Sequence, residues 1–319
     1  MKKFYLLLFT LSLLLAGAPQ LRAQDPEFTQ FYANPLYLNP ALAGTKVCPR
    51  ISLNYRNQWP GISGTYVTYA TSYDQYIHNI KGGIGVTAFT DQAGQGTLNT
   101  TGVGAIYNNH LPIKKNVAIN TAIQVGYWQK ALNWDKLSFG DQIDPARGFI
   151  NYTNETPGLS RVTNFDVHAG MVLTITNYYV GGAVHHILEP NESLLGGNSI
   201  LPRKYTFHAG GLIHFNDNDK KSYISPNILF QKQQDFQQLN LGLYVKKDMI
   251  VGGLWYRNAD SFIILLGIED DLWRIGYSYD VTVSKLTNAT AGSHEISLGK
   301  SFTCKKPKPR YRVTVCPSF

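Results

Sequence analysis

"LNLGLYVK", residues 239–246, alternates strictly: Leu239, Leu241, Leu243 and Val245 fall on one side, Asn240, Gly242, Tyr244 and Lys246 on the other. A period of two is the signature of an extended strand with one apolar and one polar face. The pattern returns at 204–215, where Tyr205, Phe207, Ala209, Gly211, Ile213 and Phe215 oppose Lys204, Thr206, His208 and His214, and again at 117–128 and 165–175. From Arg50 onward it is broken by turn signals roughly every ten to fifteen residues, with hardly a helical stretch. The spacing predicts about 14 strands, near 50–58, 65–75, 80–90, 96–109, 114–128, 163–176, 178–188, 203–215, 221–232, 235–246, 248–257, 260–269, 272–282 and 293–302.

The connections sort by parity. Those on one end are short: Pro112-Ile113-Lys114, Asn177, Asp217 to Lys220, Lys247-Asp248 and Asp270-Asp271. Those on the other include the long ones, 129–162, 189–202 and 283–292. Short turns at one end and long loops at the other describe an outer-membrane barrel, whose even strand number puts both termini in the periplasm. A soluble sandwich has no reason to sort its loops this way. Composition agrees: 20 Tyr, 15 Phe, 5 Trp and 29 Gly form the aromatic and glycine excess of a barrel wall. No segment past the leader approaches ~18 consecutive apolar residues, which excludes spanning helices.

Residues 1–23 read as a cleavable secretory signal. Lys2 and Lys3 start it, Tyr5 to Leu15 form its apolar run and Leu21-Arg22-Ala23 its cleavage site. That run falls short of the roughly 20 residues a membrane span requires. The formal charge of +8 drops to +5 once the leader's three basic residues are removed. Lys305, Lys306, Lys308, Arg310 and Arg312 account for those five, so the body from 24 to 304 is neutral. A basic tail on a neutral body suits docking to a partner or an anionic surface and argues against a nucleic-acid groove. Of the three cysteines, Cys304 and Cys316 could close a small loop in the tail with Cys48 left over, or all three could stay free; spacing does not decide.

Catalytic patterns are missing. No G-x-S-x-G, H-E-x-x-H, P-loop or C-x-x-C occurs. His185 and His186 are adjacent in an expected strand, so alternation turns them to opposite faces, and His208 and His214 lie roughly 20 Å apart along another. Asp141 and Asp144, in the longest loop, read as a turn cluster before a cation site. The expectation is therefore a non-enzymatic protein with no cofactor and no metal.

The first mature residues carry the remaining information. "DPEFTQFYANPLYLNPALAGT" (25–45) closely resembles the opening of the PorP/SprF family, outer-membrane proteins of the type IX secretion systems of Bacteroidetes. Asp25, Pro26, Phe28, Gln30, Asn34, Pro35, Asn39, Pro40, Ala41 and Gly44 match that family's order. The resemblance continues through "NYRNQWPGISGTYVTYATSYD" (54–74), "GGIGVTAFTDQAG" (82–94), "LSFGDQID" (137–144), "YYVGGAVHHILEPNES" (178–193) and "HEISLGKSF" (294–302). It ends on a basic tail closing in Cys316 to Phe319. One departure is local: Tyr66 and Val67 follow Gly64-Thr65 where the family often has a proline.

The resemblance implies a component that supports secretion or surface attachment of large adhesins, gliding motility, or linkage of the outer membrane to the periplasmic ring. Its implied partners are type IX ring or translocon subunits, a large secreted adhesin and outer-membrane lipid. The competing functional readings are an outer-membrane channel or solute transporter and, with no motif behind it, an outer-membrane hydrolase.

The expected organisation is a signal peptide (1–23), a periplasmic N-terminal plug or cap (24–49), a transmembrane antiparallel β-barrel (50–303) and a basic periplasmic tail (304–319). Asn34-Pro35 and Asn39-Pro40 fix turns, so the N-terminal segment is ordered without being a strand, and Phe28, Phe31, Tyr32 and Tyr37 would pack it into the barrel mouth. Partner contacts are expected from Asp25, Pro26, Phe28, Gln30, Asn34, Pro35, Asn39 and Pro40 at one end of the chain, and from the five basic tail residues at the other.

Overall fold

The computed structural model describes residues 25–46, 48–114, 116–216, 219–283 and 291–304, so the expected leader and most of the tail lie outside the described residues. Its strands are β1 (Arg50–Gln58), β2 (Tyr66–Ile77), β3 (Gly82–Ala93), β4 (Leu98–Lys114), β5 (Val117–Leu132), β6 (Ile143–Asp144), β7 (Gly148–Phe149), β8 (Arg161–Ile175), β9 (Tyr178–His185), β10 (Lys204–Gly211), β11 (Ile213–Asn216), β12 (Asp219–Gln233), β13 (Phe236–Lys247), β14 (Ile250–Arg257), β15 (Ser261–Glu269), β16 (Trp273–Thr282) and β17 (Ser293–Ser301). β6 and β7 form a small hairpin inside the longest loop. β10 and β11 both pair with β12 and make one wall strand interrupted at Leu212. That leaves 14 wall strands, all antiparallel and each paired with its sequence neighbour in the wall.

The sheet closes where β1 meets β17, from Arg50 opposite Ser301 to Gln58 opposite Ser293. Closure leaves no edge, so every wall strand finds its backbone partners within the protein, as a bilayer requires. Side chains alternate across the wall. On β13, Leu241, Leu243 and Val245 face outward and Gln238, Asn240 and Tyr244 inward. On β10, Tyr205 and Phe207 face outward while Lys204, Thr206 and His208 are buried. Outside, Tyr55 and Tyr69 sit opposite each other on β1 and β2 with rings 5.2 Å apart.

The connections keep their parity. Residues 78–81, 115–116, 176–177, 217–218, 248–249 and 270–272 join strands at one end; 133–160, 186–203 and 283–292 are among those at the other. One expected turn is corrected. Pro112-Ile113-Lys114 belongs to β4, with Pro112 opposite Ala118 and a register shift between Pro112 and Lys114. A proline, lacking an N–H, is tolerated in a sheet where the ladder is already irregular.

Neither cysteine alternative left open by the spacing holds: Cys304 is bonded to Cys48, with Cα atoms 5.5 Å apart. The reason is topological. The β1–β17 register runs on past Arg50 opposite Ser301, where the Phe302 amide donates to the Pro49 carbonyl at 2.9 Å, and this carries residues 48 and 304 together. Cys316 lies outside the described residues.

Two outcomes follow. Non-reducing peptide mapping should recover a crosslinked pair containing Cys48 and Cys304. Ile264→Arg, at an outward position in the middle of β15, should cost about 2–4 kcal/mol in a bilayer-based urea titration, whereas Ile264→Leu should leave the midpoint nearly unchanged.

Candidate functional site

The wall's inner face is polar, and residues 25–46 occupy the space it encloses. Two Asn-Pro pairs shape this segment. Pro35 begins a single-turn helix, α1 (Pro35–Leu38), where its missing N–H costs no hydrogen bond. Pro40 begins a 3-10 turn (Pro40–Leu42) whose preceding Asn39 side chain accepts from the Ala41 amide at 2.9 Å. The result is a compact, irregular plug with Phe28, Phe31, Tyr32, Ala33, Leu36, Leu38, Ala41, Leu42 and Ala43 buried.

The plug runs the height of the barrel. Asp25 lies at the long-loop end, where its amide donates to Gln233 Oε1 at 3.2 Å and its carboxylate meets His186 Nε2 at 2.8 Å. Just below, Thr29 and Gln30 present their amides to Glu295, at 2.5 and 3.2 Å. Glu295 and Asp280 are bridged by Arg56, at 3.4 and 3.0 Å, and Arg257 reaches Asp280 at 3.3 Å. Thr29 Oγ1 donates to Asp280 at 2.8 Å and accepts from Arg56. Gln30 is held at both ends of its amide: Nε2 donates to the Glu295 carbonyl at 3.0 Å, and Oε1 accepts from Ser297 at 2.5 Å.

Lower down, Arg274 donates to the Ala33 carbonyl at 3.1 Å and Asn108 to the Ala41 and Ala43 carbonyls at 3.0 and 2.7 Å. Asn39 donates to the Met171 and Gly182 carbonyls at 3.3 and 3.1 Å. Where the plug leaves the barrel, the Gly44 amide donates at 2.8 Å to Asp74, itself clasped by Arg50. Gly44 has φ +67° and packs directly on Gly83 of β3, where a Cβ on either residue would overlap the other's backbone. Apolar contacts fill the gaps: Phe28 stands edge-on to Tyr37 at 5.1 Å, Phe31 to Trp255 at 5.0 Å and Tyr32 to Tyr179 at 5.8 Å.

Asp25 and His186 lie outside the wall strands and set each other's charge. Burial pushes the Asp25 carboxyl up, but the adjacent His186 holds it well below the usual carboxylate range. Burial pushes His186 down, and the flanking Asp25 and Asp166 carboxylates more than offset this, raising it to about 9.

Of the eight N-terminal residues expected to contact a partner, Asp25, Gln30 and Asn39 hydrogen-bond to the barrel, Phe28 packs with Ala70 and Phe89, Asn34, Pro35 and Pro40 are buried, and the Pro26 carbonyl accepts from Tyr37 within the plug. Lys305, Lys306, Lys308, Arg310 and Arg312 lie outside the described residues. The alternation argument for His185 and His186 is corrected. β9 ends at His185, and His186 takes φ +56°, so strand alternation no longer applies and both rings lie about 5 Å from His168. Asp141 and Asp144 are occupied by turn contacts, from Thr153 and Asn154 and from Ala146 and Arg147 respectively. The inward positions of Lys204, Arg274, Asp280 and Glu295 follow from alternation; their convergence on the plug, with Arg56 and Asn108, does not.

Residues 20–299 match the family model described as type IX secretion system membrane protein PorP/SprF. A search of curated proteins finds no match. Solved structures with similar folds include the toluene transporter TodX of P. putida, with TM-score 0.50 and 10% identity over 84% of this chain and 93% of that one. Omp33 of Acinetobacter baumannii gives TM-score 0.44 and 8% identity over 81% of this chain and 100% of that one. At 10% identity the likeness to TodX is one of fold.

Removing Arg56 leaves buried Glu295 without its cation and Asp280 with Arg257 alone, a loss of about 3–5 kcal/mol. Arg56→Ala should lower the urea midpoint accordingly and make residues 25–46 cleavable in limited proteolysis, while the same segment in the native protein resists the protease.

Proposed function

Because the chain belongs to the PorP/SprF family of type IX secretion system membrane proteins, we propose that it acts as a non-enzymatic interaction component of that machinery at the outer membrane. In this reading it supports secretion or surface attachment of a large adhesin, or links the outer membrane to the periplasmic ring. The observation that carries it is the filled lumen. A solute channel needs a continuous aqueous path with binding weak enough for release, whereas here an ordered segment is bound along the barrel's height through hydrogen bonds to Glu295, Asp280, Arg274, Asn108 and Asp74.

Functional contacts then belong to the rims, with the short-turn end facing the periplasm. The basic residues from Lys305 to Arg312 follow Cys304 in the sequence and suit an acidic periplasmic partner or anionic headgroups. Asp25 to Pro40 contribute by holding the barrel shut, and meet a partner only if the plug is withdrawn.

Affinity purification of the tagged protein from crosslinked native outer membranes should recover type IX ring or translocon subunits or one large surface protein. Recovery of the barrel alone would count against the reading. In planar bilayers the native protein should show no stable open pore, and deletion of residues 24–45 should create one; a stable pore in the native protein would favour the channel reading.

A further inference from the structure

We propose that Asp166, His168 and His186 form a binding site for one divalent transition cation of the zinc type, with Asp25 of the plug orienting it. One ligand atom from each of the three residues lies within 4.8 Å of the other two, and all three residues are about 1% exposed. His186 Nδ1 is 2.5 Å from Asp166 Oδ2, and His168 Nε2 is 3.9 Å from the same oxygen. Zinc bonds of about 2.0–2.2 Å in a tetrahedral arrangement place neighbouring ligands about 3.4 Å apart. Shifts of about 1 Å therefore bring the set to coordination distance.

Two further observations point to a ligand. His168 Nε2 is buried with no hydrogen-bond partner, a deficiency a native interior rarely leaves unexplained. In addition, His186 offers its second ring nitrogen, Nε2, to Asp25 at 2.8 Å. A ligating histidine characteristically donates its outer N–H to a carboxylate, which fixes the tautomer and leaves the inner nitrogen free for the metal. Asp25 occupies that outer position, and the cation takes the place of the Nδ1 proton shared with Asp166, which is released to solvent.

Two imidazoles and a carboxylate suit zinc and its first-row neighbours over calcium or magnesium, which prefer all-oxygen shells. A cavity of about 40 Å³ borders Asp25, His168, His185, His186 and Lys204 and is large enough for a water as fourth ligand. Lys204, the nearby cation, lies 4.0 Å from Glu27. Coordination through His168 Nε2 moves that ring's proton to Nδ1 and gives up the 3.3 Å contact from the His186 amide. The bound cation ties β8, the end of β9 and the plug into one unit, so zinc locks the N-terminal segment in place.

The full-length barrel, purified in detergent and stripped with a chelator, is titrated with zinc chloride by calorimetry, with metal content measured by elemental analysis. The expected result is one zinc per chain with a micromolar or lower Kd, unaffected by excess calcium. His168→Gln should weaken it at least 100-fold, and Asp25→Asn about 10- to 100-fold. Zinc should also slow proteolysis of residues 25–46 in the native protein and have no such effect in His168→Gln. No stoichiometric uptake, or uptake that His168→Gln leaves unchanged, overturns the proposal. Should that variant fail to fold, X-ray absorption on the zinc-loaded native protein decides: a shell with two imidazoles supports the site, and a shell without them overturns it.

Discussion

Burying charge without water is costly unless each charge is paired and its remaining hydrogen-bonding capacity used. This barrel meets much of the condition with its own first residues, although Arg56 Nε and Asp280 Oδ1 stay buried without a partner. Arg56, Asp280 and Glu295 are each at most 2% exposed, on three strands that straddle the closure between β1 and β17. Arg56 answers both acids, and Glu295 has capacity left for the amides of Thr29 and Gln30. The segment 25–46 supplies backbone donors and acceptors where an aqueous lumen would supply water. Wall and plug thus supply partners for one another's buried polar groups.

The wall was legible because a barrel strand must alternate. A period of two survives in the residue order whatever the strand pairs with, so LNLGLYVK and the segment 204–215 declared their faces directly. The spacing of the turn signals gave the strand number, and the sorting of loop lengths gave the barrel. Turn positions were read less well: Pro112 suggests a turn on local chemistry, but the β4–β5 ladder continues past it with a register shift.

The site was legible only in part. The Asn-Pro pairs marked an ordered, non-strand segment, and its aromatic content marked it as packed. Its depth could not be read, because contacts such as Thr29 with Glu295 join residues whose proximity depends on the closed barrel. The same holds for Cys48 and Cys304, which look unrelated until β1 and β17 are set side by side. His186 was misread for a different reason. A single residue in the left-handed region ends the alternation, and a histidine gives little warning of it.

The contacts between the plug and the last strands carry a consequence for how the chain reaches this state. Thr29 and Gln30 lie more than 260 positions from Glu295, and Cys48 lies 256 from Cys304. Contacts of such separation form only after the entropy of closing the intervening loop has been met. Thr29 and Gln30 therefore have no receptor until β16 and β17, made last, are in place, whereas Gly44 and Asn39 meet partners on earlier strands. The contacts that seat this part of the plug thus wait for the whole wall to be made.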